Sequence, residues 1–108
     1  LLPIVWLVRQ KRQAEIRDIQ WDVGEQDLMC LFEKQGNKCA LTGIPLVLSK
    51  SPKKMTASLD RRDSDKSYTL DNVQWVHKHI NLMKYRFGEK YFVDMCCKVA
   101  GFCGSPSV

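Results

Sequence analysis

The stretch SLDRRDSDKSYTLDNVQWVHKHINLMK (residues 58–84) decides the fold. It begins inside a loosely alternating run, MTASLD (55–60), which reads as a strand delivering Asp60 to its end. Residues 61–71 are too charged for a core and read as a long loop. NVQWV (72–76) reads as a second short strand, with Trp75 and Val76 as core residues. After it, Ile80, Met83, Lys84 and Phe87 recur at helical spacing, so HKHINLMKYRF (77–87) reads as a helix. The order is strand, acid-tipped loop, strand, helix. A carboxylate at the end of the first strand can face a helix side chain across a small hollow, and Asp60 and Asn81 are the natural pair. One charged and one neutral hard oxygen ligand suit Mg²⁺, with waters and a substrate phosphate completing its shell. The purely structural reading of the same residues is a turn-capping aspartate and a surface asparagine.

Working outward, residues 1–20 mix an apolar start with Arg9, Lys11, Arg12 and Arg17 and read as a helix or arm docking by its apolar end. The basic end is either a solvated face or a nucleic-acid contact. Asp22 to Asn37 read as a helix, with Asp22 and Glu25 as a capping-box pair, Leu28, Leu31 and Phe32 on one face, and Gly36 as the stop. CALTGIPLVLS (39–49) suggests short strands around a turn at Thr42-Gly43. KSPKK (50–54) reads as a basic loop. GEKYFVDMCCKVAG (88–101) reads as a last amphipathic helix, with Phe92, Cys96 and Val99 on its apolar stripe. The expected division is an N-terminal arm or helix at 1–21, possible as the cut edge of a longer chain, a functional domain at 22–101, and a flexible tail at 102–108.

Length and charge bound the function. A chain of 108 residues buries a modest single core without needing disulfides or a metal. Its 17 Lys and Arg against 12 Asp and Glu give +5, which favours an anionic partner, nucleic acid first. Five cysteines, an odd number with Cys96 and Cys97 adjacent and no CxxC, argue against a secreted disulfide framework and for reduced thiols in an intracellular protein. LLPIVWLV stays apolar for eight residues, far short of the roughly 20 that cross a bilayer, so no membrane partner is expected.

The run CALTGIPL, then ASLDRRDSDKSYTLDNVQWVHKHINLMK, then YFVDMCCKVA resembles small HNH endonucleases of the ββα-metal (His-Me finger) superfamily, most of all those of phages and mobile elements. The likeness spans about residues 24–100. It implies an α+β fold, a ββα-metal core with flanking helices. It also implies that Asp60 and Asn81 are the metal ligands, and that Asn72 is the central asparagine tying the loop to the strand backbone. The implied chemistry is hydrolysis of DNA with one divalent cation, Mg²⁺ or Mn²⁺, leaving 5′-phosphate and 3′-hydroxyl ends.

The sequence departs from that pattern at several places. The position after the metal-binding acid, usually the histidine that serves as general base, is Arg61. A guanidinium is a poor base but well suited to clamp a phosphate. The proton then falls to metal-bound hydroxide, Asp63, a tyrosine such as Tyr68, or His77. His77 shares a helix face with Asn81 and is carried as a catalytic candidate beside Arg61 and Asn72; its other reading is packing near Cys39. Zinc-bearing relatives place four cysteines where this chain has Cys39, Thr42, His77 and Ile80, and two ligands do not make a tetrahedral site. Ser67 stands where relatives have a turn glycine. Candidate DNA contacts are Lys53, Lys54, Arg62, Lys66, Lys78, Lys84 and Arg86.

The expected function is a metal-dependent DNA endonuclease, possible as a homodimer or with an added DNA-recognition module. The alternative is the same fold as a catalytically silent DNA-binding module.

Overall fold

Trp75 is fully buried, and the rest of the architecture is arranged around it. The computed structural model describes residues 2–104. In chain order the elements are α1 (Ile4–Ile16), β1 (Trp21–Asp22), α2 (Glu25–Lys34), β2 (Ala57–Arg61), β3 (Tyr68–Thr69), β4 (Val73–His77), α3 (Lys78–Lys84) and α4 (Glu89–Val99), then a π-helical turn at Ala100–Gly104. The fold is α+β.

Strands β2 and β4 pair antiparallel, with Leu59 opposite Trp75 and Asp60 opposite Gln74. Because side chains alternate along a strand, Leu59 and Trp75 share one face, and Ser58, Asp60, Gln74 and Val76 share the other. The first face meets α1 and α2. Trp6 stacks on Trp75 at 5.3 Å between ring centroids, and Phe32 meets it edge-on at 5.5 Å. The Trp75 indole N–H donates to the Leu28 carbonyl at 2.9 Å. These rings remove the largest apolar side chains from water without stranding a donor. The second face carries the polar groups and lies beneath α3.

The outer edge of β4 is closed by a side chain. Gln35 Oε1 accepts the Trp75 N–H and its Nε2 donates to the Trp75 carbonyl, both at 2.9 Å. The amide thus imitates a neighbouring strand, beside the Ala40 N–H, which also donates to the Trp75 carbonyl at 2.9 Å. A two-residue parallel pairing of β1 with β3, Trp21 opposite Tyr68, fastens the charged loop after β2 to the N-terminal region. Among the described residues no helix is long and apolar enough to cross a membrane.

Several expectations meet their outcome here. The two strands and the helix after them are present, and Trp75 and Val76 are core. The N-terminal segment is a helix that docks through Trp6, Leu7 and Ala14. Gly36 has φ +68 at the end of α2 and Gly43 has φ +75 in the 39–44 turn, conformations that a glycine enters without a Cβ clash. The capping box does not form: Gly24 caps α2, and Asp22 instead lies in β1 and accepts from Gln20. In 39–49 the expected strands reduce to a single bridge between Lys38 and Pro45.

The expected last helix is α4. Its stripe does not enter the core, because Cys96 and Val99 are exposed and no residue of α4 is buried. Periodicity shows that a helix has an apolar side, but not what covers it. Of the expected tail, 102–104 complete the π-helical turn, and 105–108 lie outside the described residues.

Candidate active site

Asn72 builds the loop that frames the site. It is buried, with its Oδ1 accepting the Asp63 N–H at 3.0 Å and its Nδ2 donating to the carbonyls of Asp63 and Ser67 at 3.1 and 2.9 Å. One amide therefore holds both ends of the 63–67 turn, with its side-chain partners inside the loop rather than on the strand backbone. Ser67 adopts an ordinary negative φ, so the turn needs no glycine there.

Arg61 fastens the same loop from the other side. Its Nη1 donates to the carbonyls of Ser64 and Lys66 at 2.7 and 2.8 Å, and the guanidinium lies 5.3 Å from the centre of the Tyr68 ring. Two of its five donors serve the loop, and the charge lies over the face of the Tyr68 ring. Arg61 also lines an open groove of about 1070 Å³.

Five cations line that groove, Arg17, Arg61, Lys66, Lys78 and Arg86, against two acids, Asp18 and Asp65. Ser58 and Asn81 lie on its wall. The excess of positive charge in a trough this open suits a polyanion rather than a small apolar ligand. Asn81 is oriented by Nδ2, which donates to Ser58 Oγ at 2.7 Å and to the Leu59 carbonyl at 3.2 Å. Its Oδ1 is the amide atom left for a ligand.

Asp60 sits one residue beyond Leu59 on the same strand, facing α3. Its carboxylate is almost fully buried and fully engaged. Lys84 Nζ lies 3.0 Å from Oδ1, and Gln74 Nε2 donates to Oδ2 at 3.0 Å. Lys84 also donates to the Arg61 carbonyl at 2.9 Å. This corrects the expectation for Lys84, which is fully buried and cannot be a DNA contact on the surface. Its register on α3, one turn past Asn81, aims it at the polar face of the sheet rather than at solvent.

Whether Asp60 and Asn81 fit a divalent cation can be judged from this arrangement. Asp60 is built around a positive charge, since the Lys84 ammonium already stands against it. Asn81 adds a hard neutral oxygen from the adjoining turn of helix. Donor type and net charge fit Mg²⁺ or Mn²⁺, on the condition that Lys84 gives up its place. Among the described residues no group of three His, Cys, Asp or Glu is arranged to hold a metal, so a cation here would complete its shell with water and substrate oxygens.

Other candidates are sorted by position. His77 does not line the groove. It caps α3, its Nδ1 accepting the His79 N–H at 3.1 Å. Desolvation, and then the charges of His79 and Lys78, hold it below its ordinary value, which suits an accepting nitrogen. Burial pushes the neighbouring Cys39 thiol up, but hydrogen bonds from the Thr42 side chain and from the backbone of His77, Leu41 and Thr42 outweigh it and leave the thiol below its usual range. Asp63 and Tyr68 also lie off the groove; Asp63 caps its own turn through Asp65 N–H. Lys66, Lys78 and Arg86 line it. Lys53 and Lys54 are exposed on a separate turn, and Arg62 is drawn to Gln74 Oε1 at 3.2 Å and Glu89 Oε1 at 3.6 Å.

Sequence reasoning missed Ser58, Asp65 and Tyr85 as groove residues. It also left Arg17 undecided between a solvated face and a contact. No spacing rule brings Arg17 to this wall, because the β1–β3 pairing does so. No family model matches the chain, and no curated protein or solved structure matches it significantly.

Proposed function

We propose that the chain is a divalent-metal-dependent DNA endonuclease of the HNH type, acting on the phosphodiester backbone in the basic groove. The observation that carries this reading is the meeting of the β2 tip and α3. Asn81 lies on the wall of a cation-lined trough and is pinned to Ser58 and Leu59, the two residues before Asp60, which is itself buried behind that wall. A cation held by Asp60 and Asn81 would supply Lewis-acid stabilisation of the charge that develops on the phosphate and the departing oxygen.

The chain's own residues do the rest. Lys66, Lys78 and Arg86 attract and position the backbone. Arg61, already fixed by the Ser64 and Lys66 carbonyls, offers its remaining N–H groups to the scissile phosphate without further ordering cost. Asn72 keeps the loop that carries these groups in one shape. Asp63, Tyr68 and His77 all lie off the groove, and the carboxylates on its lining are Asp18 and Asp65.

One observation favours a second reading, a DNA-binding module without cleavage: Asp60 is closed off by Lys84 and Gln74. A plasmid-nicking assay in Mg²⁺ and Mn²⁺, with Asn81→Ala beside the wild type, separates the two. Cutting that disappears in Asn81→Ala supports the nuclease. Intact plasmid together with a retained gel shift supports the module.

A further inference from the structure

The Asp60–Lys84 pair is the least expected feature of the site. Lys84 is fully buried, and its ammonium meets an acid and a carbonyl, Asp60 Oδ1 at 3.0 Å and Arg61 O at 2.9 Å. Burying two charges is costly, and their attraction returns that cost only when geometry and additional hydrogen bonds are good. Here they are good, with Gln74 holding the second carboxylate oxygen. The very next residue, Tyr85, has φ 55 and ψ −123, a conformation that a side chain with a Cβ adopts only under strain. The chain thus bends unfavourably directly after delivering the lysine. Lys84 and Asp60 themselves lie behind the groove, whose lining includes Asn81 and Tyr85 on either side of the lysine in sequence.

We propose that Lys84 is a resident counter-ion that occupies the cation position of Asp60, so that a divalent metal loads only in exchange for the ammonium. The inference rests on the reading of Asp60 as a metal ligand and goes beyond it, because it makes loading a competition within the chain. While Lys84 is docked, Asp60 has no free oxygen, and the apparent affinity for metal falls by the fraction of molecules in which the lysine has withdrawn. A phosphate backbone in the groove offers the withdrawn ammonium another anion. Metal and DNA therefore bind with positive coupling.

The test is metal binding without DNA, by titration calorimetry with Mn²⁺. Lys84→Met binds at least about tenfold tighter than the wild type, and adding Asp60→Asn removes the gain. Equal or weaker binding by folded Lys84→Met overturns the proposal, as does a gain that survives Asp60→Asn. Should Lys84→Met not fold, the wild type decides alone. Its buried ammonium gives a slowly exchanging ¹⁵N side-chain signal, which shifts or vanishes as Mg²⁺ is added. A Lys84 signal unchanged in large excess of Mg²⁺ overturns the proposal.

Neither readout uses cleavage. Exchange without plasmid nicking leaves the counter-ion standing and removes the nuclease. Nicking with an unmoved Lys84 signal does the reverse.

Discussion

Asn72 and Asp63 are joined twice: the Asn72 side-chain oxygen accepts the Asp63 N–H at 3.0 Å, and its amide nitrogen donates to the Asp63 carbonyl at 3.1 Å. With the bond to Ser67 O, one side chain replaces the ladder that a loop cannot make for itself. Asn72→Ala is expected to destabilise the domain by about 2–3 kcal/mol, since the loop's groups lose their partner rather than exchange it. Urea unfolding measures the loss, and faster hydrogen exchange at the Asp63 amide localises it. An unchanged midpoint means that the loop holds its shape without the asparagine.

Asp60→Ala and Asn81→Ala separate stability from chemistry. Removing Asp60 leaves the Lys84 charge buried without its partner, at a cost of about 3–5 kcal/mol, whereas Asn81→Ala gives up hydrogen bonds at the groove wall and costs about 1 kcal/mol. The double substitution Asp60→Leu/Lys84→Met recovers most of the loss, because no charge is then stranded. Denaturant midpoints for the four proteins check this ordering; a fully stable Asp60→Ala contradicts the buried pair.

Groove cations and peripheral cations should differ in their response to salt. On the proposed DNA reading, alanine at Lys66, Lys78 or Arg86 is expected to lower the slope of log affinity for duplex DNA against log salt by about 1 each. Alanine at Lys53 or Lys54, which lie outside the groove, leaves it near the wild-type value. Equal effects at both sets would move the DNA off this face.

His77 gives a dependence on pH. Its folded-state value is depressed below the ordinary 6.5, by desolvation first and then by the charges of His79 and Lys78. The unfolded chain therefore binds more protons, and stability rises with pH through this window. The contribution is complete above about pH 6.5 and is lost as pH falls through the lower folded value, when Nδ1 takes a proton and can no longer accept the His79 N–H. His77→Asn keeps a capping acceptor without a titrating group. Its stability profile between neutral and mildly acidic pH is expected to be flatter than the wild type's; superimposable profiles would rule out His77 as the source.

Val99 and Leu28 test the assignment of α4. Val99 is exposed and Leu28 is fully buried beneath Trp75. Val99→Ser is expected to change stability by no more than about 0.5 kcal/mol, and Leu28→Ala to cost about 2–5 kcal/mol. Thermal unfolding of the two variants is the check. A large loss in Val99→Ser would show that something covers the helix.

The order of strand, loop, strand and helix was legible in residues 58–84 because alternation, charge and helical spacing are local properties of a chain. So were Trp75 as core, the stop at Gly36 and the turn at Gly43, each of which depends on a few neighbouring residues. Long-range pairing lay beyond that reach. That Lys84 turns inward to Asp60, that Arg17 joins the groove through the β1–β3 contact, and that the stripe of α4 faces away from the core depend on which surfaces meet. A lysine on a helix has the same local signature whether water or a carboxylate waits for it. Only the packing of α3 onto the polar face of β2 and β4 decides which one it finds.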